Sequence, residues 1–293
     1  MSNFKCEGSW VALVTPFANG RIDRDALYKL LDMHLAAETD GLVVSGTTGE
    51  SPTLGIEEKA HLMELVVERV AGKISIMLGT GGNNTASAID LTRRAASLGA
   101  EAVLVVTPYY NKPPQGGLLV HFREIAACTN LPVVLYNVPG RTGVNMTATT
   151  TLELAKAQNI VGIKEASGNM EQVMDIIQTA PENFSVLSGE DSLNLAIMAL
   201  GGRGTISVTA NVAPKKMKSF VAAALSASWN EARKIHYELL DLHRAMFLEA
   251  NPIPVKSALS LMGLIKDELR LPLIPASENT KEKLTKLISR MAL

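Results

Sequence analysis

The 293-residue chain has little cysteine, few aromatics and no surplus of either charge. Two cysteines, Cys6 and Cys128, allow at most one bridge, so disulfides do not build this fold, and free thiols suit a reducing compartment. Lys and Arg number 28 against 29 Asp and Glu, a net charge of -1, which leaves no basic excess to neutralise a run of phosphates. Aromatics, at 4%, supply no platform for stacking bases, so nucleic acid is not an expected partner. No apolar run approaches the ~18 residues of a membrane span, and Gly201 and Gly202 close the apolar segment 193–200. The N-terminal stretch carries Lys5 and Glu7 and stops at Pro16, unlike a secretory signal; the expectation is a cytoplasmic protein that does not engage membranes.

What the chain does have is repetition. Eight short runs rich in Val, Ile and Leu (10–14, 41–44, 74–78, 102–106, 133–136, 160–164, 185–187 and 205–208) are each followed by Gly, Thr, Pro or Asn and then by a longer helical pattern. The gaps leave room for the crossover helix that parallel strands require. In one such helix Leu62, Leu65, Val66 and Arg69 fall at helical spacing, with Glu57, Glu58 and Glu64 for the wet side. Eight strand–helix units predict an α/β fold, a closed (β/α)8 TIM barrel, over residues 1–226. Beyond Asn211 the strand signal stops. Residues 220–247 and 280–291 read as helices, with Pro252 and Pro254 breaking the first region, so residues 227–293 are expected to form a C-terminal helical domain.

In such barrels the chemistry sits at the carboxyl ends of the strands, and here those ends are polar. The second run ends in Ser45-Gly46-Thr47-Thr48-Gly49-Glu50, the fifth in Tyr136-Asn137-Val138-Pro139-Gly140-Arg141, and the sixth in Lys164-Glu165. Strand alternation groups Gly162 with Lys164 and Val161 with Ile163. If the branched pair packs against helices, Gly162 leaves interior space for the lysine, whose neutral amine can form a Schiff base with a carbonyl. A solvated lysine at the strand end is the plainer alternative. Tyr136 can reach the same interior and relay protons, or can be a core tyrosine bonded to a carbonyl. The glycine turn at 46–49 offers N–H groups and two hydroxyls to a carboxylate, or merely supplies positive φ. Arg141 can pair with a second carboxylate, or be an ordinary surface arginine. The five histidines make no HxH or HExxH pattern, and no Walker A sequence, GxSxG elbow or complete dinucleotide fingerprint occurs, so neither metal nor cofactor is expected.

Taken together, the blocks Gly46-Thr47-Thr48-Gly49-Glu50-Ser51, Val106-Thr107-Pro108-Tyr109-Tyr110-Asn111, Tyr136-Asn137-Val138-Pro139 with Arg141-Thr142, Gly162-Ile163-Lys164-Glu165-Ala166, Ile206-Ser207-Val208-Thr209-Ala210-Asn211 and Asn251-Pro252-Ile253-Pro254-Val255-Lys256 occur in order over essentially the whole chain. In this the chain resembles the pyruvate-dependent Schiff-base aldolase family. The resemblance implies condensation of pyruvate with L-aspartate 4-semialdehyde, the first committed step of the diaminopimelate route to lysine. Lys164 would form the imine, Thr47 and Thr48 would hold the pyruvate carboxylate, and Tyr136 would relay protons through Thr48 to Tyr110, contributed across a tight dimer interface. Arg141 would receive the carboxylate of the semialdehyde, while Gly189 and Ile206 would line the pyruvate pocket. A homo-oligomer is implied, with a tetramer built as a dimer of dimers. N-acetylneuraminate lyase, of the same family, shares the barrel, lysine and tyrosine, and Arg141 argues against it; a non-catalytic barrel binding 2-keto acids would need neither Lys164 nor Tyr136. Members inhibited by lysine usually carry a glutamate at Ser87 and histidines at Ile56 and Lys59. With only Ser51, Asn83 and Tyr109 retained here, the effector site reads as vestigial and lysine feedback as weak or absent.

Overall fold

The computed structural model describes residues 4–293. Eight parallel strands, β1 (Gly8–Ala12), β2 (Gly41–Val44), β3 (Ser75–Gly79), β4 (Ala102–Val106), β5 (Val133–Asn137), β6 (Ile160–Glu165), β7 (Ser185–Ser188) and β8 (Gly204–Ser207), close into one barrel in sequence order, β8 and β2 flanking β1. All eight overlap the apolar runs of the sequence, the first lying two residues earlier than the expected 10–14 and the others within one residue at each end. A two-stranded hairpin, Phe17–Ala18 with Arg21–Ile22, follows β1 and has no counterpart in that reading. Four residues of mixed polarity carry too little alternation to register.

Alternation sorts the strands into two packed surfaces. Val11, Leu42, Val44, Ile76, Leu78, Val103, Val105, Leu135, Ile163 and Val186 join the large cluster between barrel and helices. Trp10, Ala12, Val43, Met77, Leu104, Val134, Tyr136, Leu187 and Ile206 fill the interior. Both faces are therefore apolar, as a sheet covered by helices demands. Val161 departs from the expected pairing with Ile163. Ile160 pairs with Val133 but Gly162 already pairs with Val134, and this slip in register brings Val161 against the interior cluster while Ile163 stays outside.

The outer layer comprises α1 (Arg24–Ala36), α2 (Ile56–Val70), α3 (Thr85–Ala95), α4 (Gln115–Ala127), α5 (Pro139–Thr142), α6 (Ala148–Leu154), α7 (Met170–Thr179), α8 (Asn194–Ala199) and α9 (Pro214–Leu225). On α2 the buried stripe is Leu62, Met63, Leu65, Val66 and Val70. Arg69 lies outside it, and its Nε donates to Asp32 of α1 at 2.7 Å. After α9 come α10 (Trp229–Ala245), α11 (Ile253–Leu261) and α12 (Glu278–Met291). The expected helical stretch 220–247 is thus two helices, parted at Ala227, whose φ of 56° is left-handed. Pro252 and Pro254 open α11, since a first helical turn has no N–H to lose. No helix among the described residues is long and apolar enough to cross a membrane.

Candidate active site

Strand β6 carries Lys164 into the barrel interior, where it is 5% exposed. Its register partner on β5 is Tyr136, and Lys164 Nζ lies 4.3 Å from the centroid of the Tyr136 ring. The room for the lysine comes from Gly189, just past β7, and not from Gly162. A Cβ on Gly189 would stand 2.9 Å from Lys164 Cε, closer than side chains pack, whereas a Cβ on Gly162 would strike the Ser185 carbonyl and Cys6 Sγ. Ile206 of β8 shares the same interior cluster. Among the described residues no carboxylate is bonded to Lys164 Nζ, so the amine is held by packing alone. Glu190, beside Gly189, is half-buried; burial pushes its carboxyl above the ordinary range, and the Lys164 charge lowers it only in part.

The turn after β2 is bounded by two non-glycine residues in the left-handed region, Ser45 at φ 56° and Glu50 at φ 55°. Such strain persists only where its surroundings enforce it. The N–H groups of Gly49, Glu50 and Ser51 are used inside the turn, donating to the carbonyls of Gly46, Thr47 and Gly46. Those of Thr47 and Thr48 have no partner among the described residues, which leaves two backbone donors free in the turn. It is not a helix N-terminus: only the short 3-10 turn Ser51–Thr53 follows before α2.

Thr15 Oγ1 donates to the Gly49 carbonyl at 2.7 Å, and the other enforcing contacts come from the C-terminal segment, at positions to which residue-by-residue reading assigned no role. Lys256 of α11 is fully buried, and its Nζ donates to Glu50 Oε1 at 2.6 Å and to the Thr15 carbonyl at 2.9 Å. Burial lowers the Lys256 pKa, with Glu50 opposing that shift. Arg270 N–H donates to Glu50 Oε2 at 2.9 Å. Asn251 Nδ2 donates to Thr48 Oγ1 at 2.9 Å, and the Asn251 carbonyl accepts from Arg141 Nη2 at 3.1 Å. Beyond their place in the block Asn251-Pro252-Ile253-Pro254-Val255-Lys256, the advance signal was a polar residue before Pro252 and a lysine among the apolar residues of 252–259.

A cavity of about 450 Å3 opens at this end of the barrel. Thr47, Tyr136 and Arg141 line it, as do Ser51, Asn83 and Tyr109 together with Ile56, Lys59 and Ser87. Its charged lining is cationic, Lys59 and Arg141, without a carboxylate. Half-buried Lys59 has its pKa lowered by desolvation. Lys164, Thr48, Gly189 and Ile206 are not among its lining residues; Lys164 adjoins the cavity through Tyr136, whose ring centroid lies 4.3 Å from Nζ. Tyr110 is apart from the cavity: it is 89% exposed, at φ 73°. No group of three His, Cys, Asp or Glu side chains among the described residues could hold a metal ion.

The dihydrodipicolinate synthetase family model matches residues 5–291. A 4-hydroxy-tetrahydrodipicolinate synthase from Thermodesulfovibrio yellowstonii is 50% identical over 287 residues, covering 98% of this chain and 99% of that one. The crystal structure of dihydrodipicolinate synthase from Aquifex aeolicus superposes with a TM-score of 0.96 at 46% identity, covering 98% of both chains. The chloride-inhibited enzyme from Acinetobacter baumannii, complexed with pyruvate, does so with a TM-score of 0.96 at 43% identity, covering 98% of this chain and 99% of that one.

Proposed function

The chain belongs to the dihydrodipicolinate synthetase family and is a lyase of the 4-hydroxy-tetrahydrodipicolinate synthase type, and from that premise we propose that Lys164 is its imine-forming residue. The observation that carries the proposal is a buried lysine amine facing Tyr136 with no carboxylate to neutralise it. As a neutral amine, Nζ adds to the C2 carbonyl of pyruvate, and the carbinolamine loses water to give the imine. Tyr136 gives and takes the protons of these steps. The imine is the electron sink: the pyruvate methyl loses a proton, and the resulting enamine carbon attacks the aldehyde of L-aspartate 4-semialdehyde. The amino group of that substrate then displaces Lys164 by transimination, closing the ring and freeing the enzyme. No external cofactor enters the cycle.

The free N–H groups of Thr47 and Thr48 support binding of the pyruvate carboxylate in the turn. Arg141, tethered to the Asn251 carbonyl through one nitrogen, keeps donors for the second carboxylate. The cationic cavity supports substrates that carry carboxylates, N-acetylneuraminate included, so initial rates with each aldehyde or sugar acid decide substrate choice. Turnover of pyruvate with L-aspartate 4-semialdehyde is expected; cleavage of N-acetylneuraminate at a comparable rate would overturn this assignment.

Tyr110 supports a second copy of the chain as partner: a tyrosine this exposed, in a left-handed conformation, suits the proton relay of a neighbouring site, and we read the assembly as a dimer of dimers. Free Cys6 and Cys128 support a reducing, cytoplasmic setting. We keep residues 1–226 as the catalytic unit and 227–293 as a helical unit that braces it.

A further inference from the structure

We propose that Asn137 and Glu165 are positioning residues that pin the carboxyl ends of β5 and β6 in register and so hold the Tyr136 ring against Lys164; this rests on the reading of Lys164 and Tyr136 as the reacting pair. Each stands one position beyond a reacting residue, and the two are register partners, as Tyr136 and Lys164 are. Alternation turns them to the outer face of the barrel, where both are fully buried. Asn137 Nδ2 donates to Glu165 Oε2 at 3.1 Å and to Asn145 Oδ1 at 2.8 Å. Met146 N–H donates to Asn137 Oδ1 at 3.0 Å, which sets the amide with its nitrogen toward Glu165. The Glu165 carboxyl also accepts from Ser167 N–H at 2.7 Å and from Gln172 Nε2 of α7 at 3.1 Å. Its partners among the described residues are therefore all neutral donors, and no cation is paired with it. An acidic side chain is seldom placed so deep without one.

The opposite end of the same strand pair shows why a pin is needed. Ile160 pairs with Val133 and Gly162 with Val134, so one residue of β6 is unopposed there. A slip of one residue turns every later side chain to the other face. Ladder hydrogen bonds recur along the strands, whereas a specific side-chain pair forms in one alignment only. Asn137 with Glu165 is the pair that closes this ladder, directly after Tyr136 with Lys164. Proton transfer between the two reacting groups depends steeply on their separation and orientation, so a loosened strand end is felt as lost rate. The Glu165 carbonyl separately accepts from Gly189 N–H at 2.8 Å, and replacing the side chain leaves that backbone contact in place.

The full chain is tested as Asn137→Ala, Glu165→Ala, their double variant, Glu165→Gln and Gln172→Leu, each checked for native circular dichroism. The readouts are kcat, the urea midpoint, and the rate constant and final extent of Lys164 labelling by pyruvate with borohydride in excess. Each alanine variant is expected to slow labelling and kcat by about 10- to 100-fold, with the final extent complete and KM for L-aspartate 4-semialdehyde within about twofold. A protein that is merely destabilised would lose extent and keep its rate constant. If Glu165→Ala fails to fold, Asn137→Ala carries the same test. The double variant is expected to be no slower than the slower single one, because the two residues form one pin. Glu165→Gln keeps an oxygen for Ser167 and Asn137 and should recover most of the rate, but not the urea midpoint, since its NH2 meets Gln172 Nε2. Gln172→Leu breaks a bond to the same carboxyl and leaves the Asn137 contact, so its midpoint should fall while its labelling rate stays within about twofold. Wild-type rate constants in the alanine variants, or equal slowing in Gln172→Leu, overturn the proposal. Wild-type protein that is not labelled at Lys164 means that the Schiff-base reading itself fails, whereas labelled wild type with unaffected Asn137 and Glu165 variants means that the pin alone was misassigned.

Discussion

Lys164 and Lys256 are both buried, and the nitrogen of each lies 4.3 Å from an aromatic centroid, Tyr136 for the first and Phe17 for the second. The difference is in what else they touch. Lys256, at the seam between the barrel and α11, meets a carboxylate at 2.6 Å and a carbonyl at 2.9 Å, and so its protons and its charge are spent on the scaffold. Lys164, inside the barrel, is packed but unpaired. A buried charge is tolerated when it is paired, and an unpaired amine is kept only where reactivity needs it. One lysine thus helps hold the Gly46–Glu50 turn in shape, and the other is left free for the imine chemistry proposed above.

Exchanging the properties of the two lysines should produce opposite failures. Lys164→Ala is expected to lower kcat by at least about a thousandfold while the thermal midpoint holds or rises, since an unpaired buried amine is removed; a stability loss as large as that of the Lys256 variant would erase the distinction. Lys256→Met strands Glu50 in the interior and should destabilise the fold by about 3–5 kcal/mol in urea unfolding, with Lys164 still labelled by pyruvate and borohydride in the protein that remains folded. Adding Glu50→Gln to that variant should recover part of the loss.

The scaffold should also titrate apart from the chemistry. Burial lowers the His34 pKa to about 4 from its ordinary value of 6.5. Between those values the unfolded chain binds a proton that the folded one does not, so stability falls as pH drops through that window, by about 1.4 kcal/mol per pH unit for this one group. His121 and His236, lowered to about 4 by the same desolvation, add to the slope, so urea midpoints from pH 7 to 4.5 should fall less steeply in His34→Gln by that one group's share. The smallest expected effect is that of lysine on the rate. A cavity lined by Lys59 and Arg141 without a carboxylate repels a cationic amino acid, so millimolar lysine should change the initial rate by less than about twofold; strong inhibition below millimolar would contradict this.

The barrel was legible because its signal is local: each strand is a compact branched run, and each crossover has a helical period. Lys164 and Tyr136 were legible for the same reason, as polar residues closing apolar runs. The expected source of space for Lys164 was wrong because Gly162 shares its strand, whereas Gly189 approaches from β7, and proximity across strands is not written in spacing. The clamp on the turn was invisible for a stronger version of that reason. Glu50 and Lys256 are 206 positions apart, and nothing near either residue announces the other. Helix α11 was hidden by its own prolines, which signal a break in sequence and a beginning in the fold.

The most direct test of the contrast between the two lysines is to incubate the protein with pyruvate, reduce with borohydride, and map the modified residue by peptide mass spectrometry. A single reduced pyruvate adduct on Lys164, with activity lost in proportion and Lys256 unmodified, is the expected result. An adduct on Lys256 or on any other lysine, or inactivation without an adduct, would contradict the account.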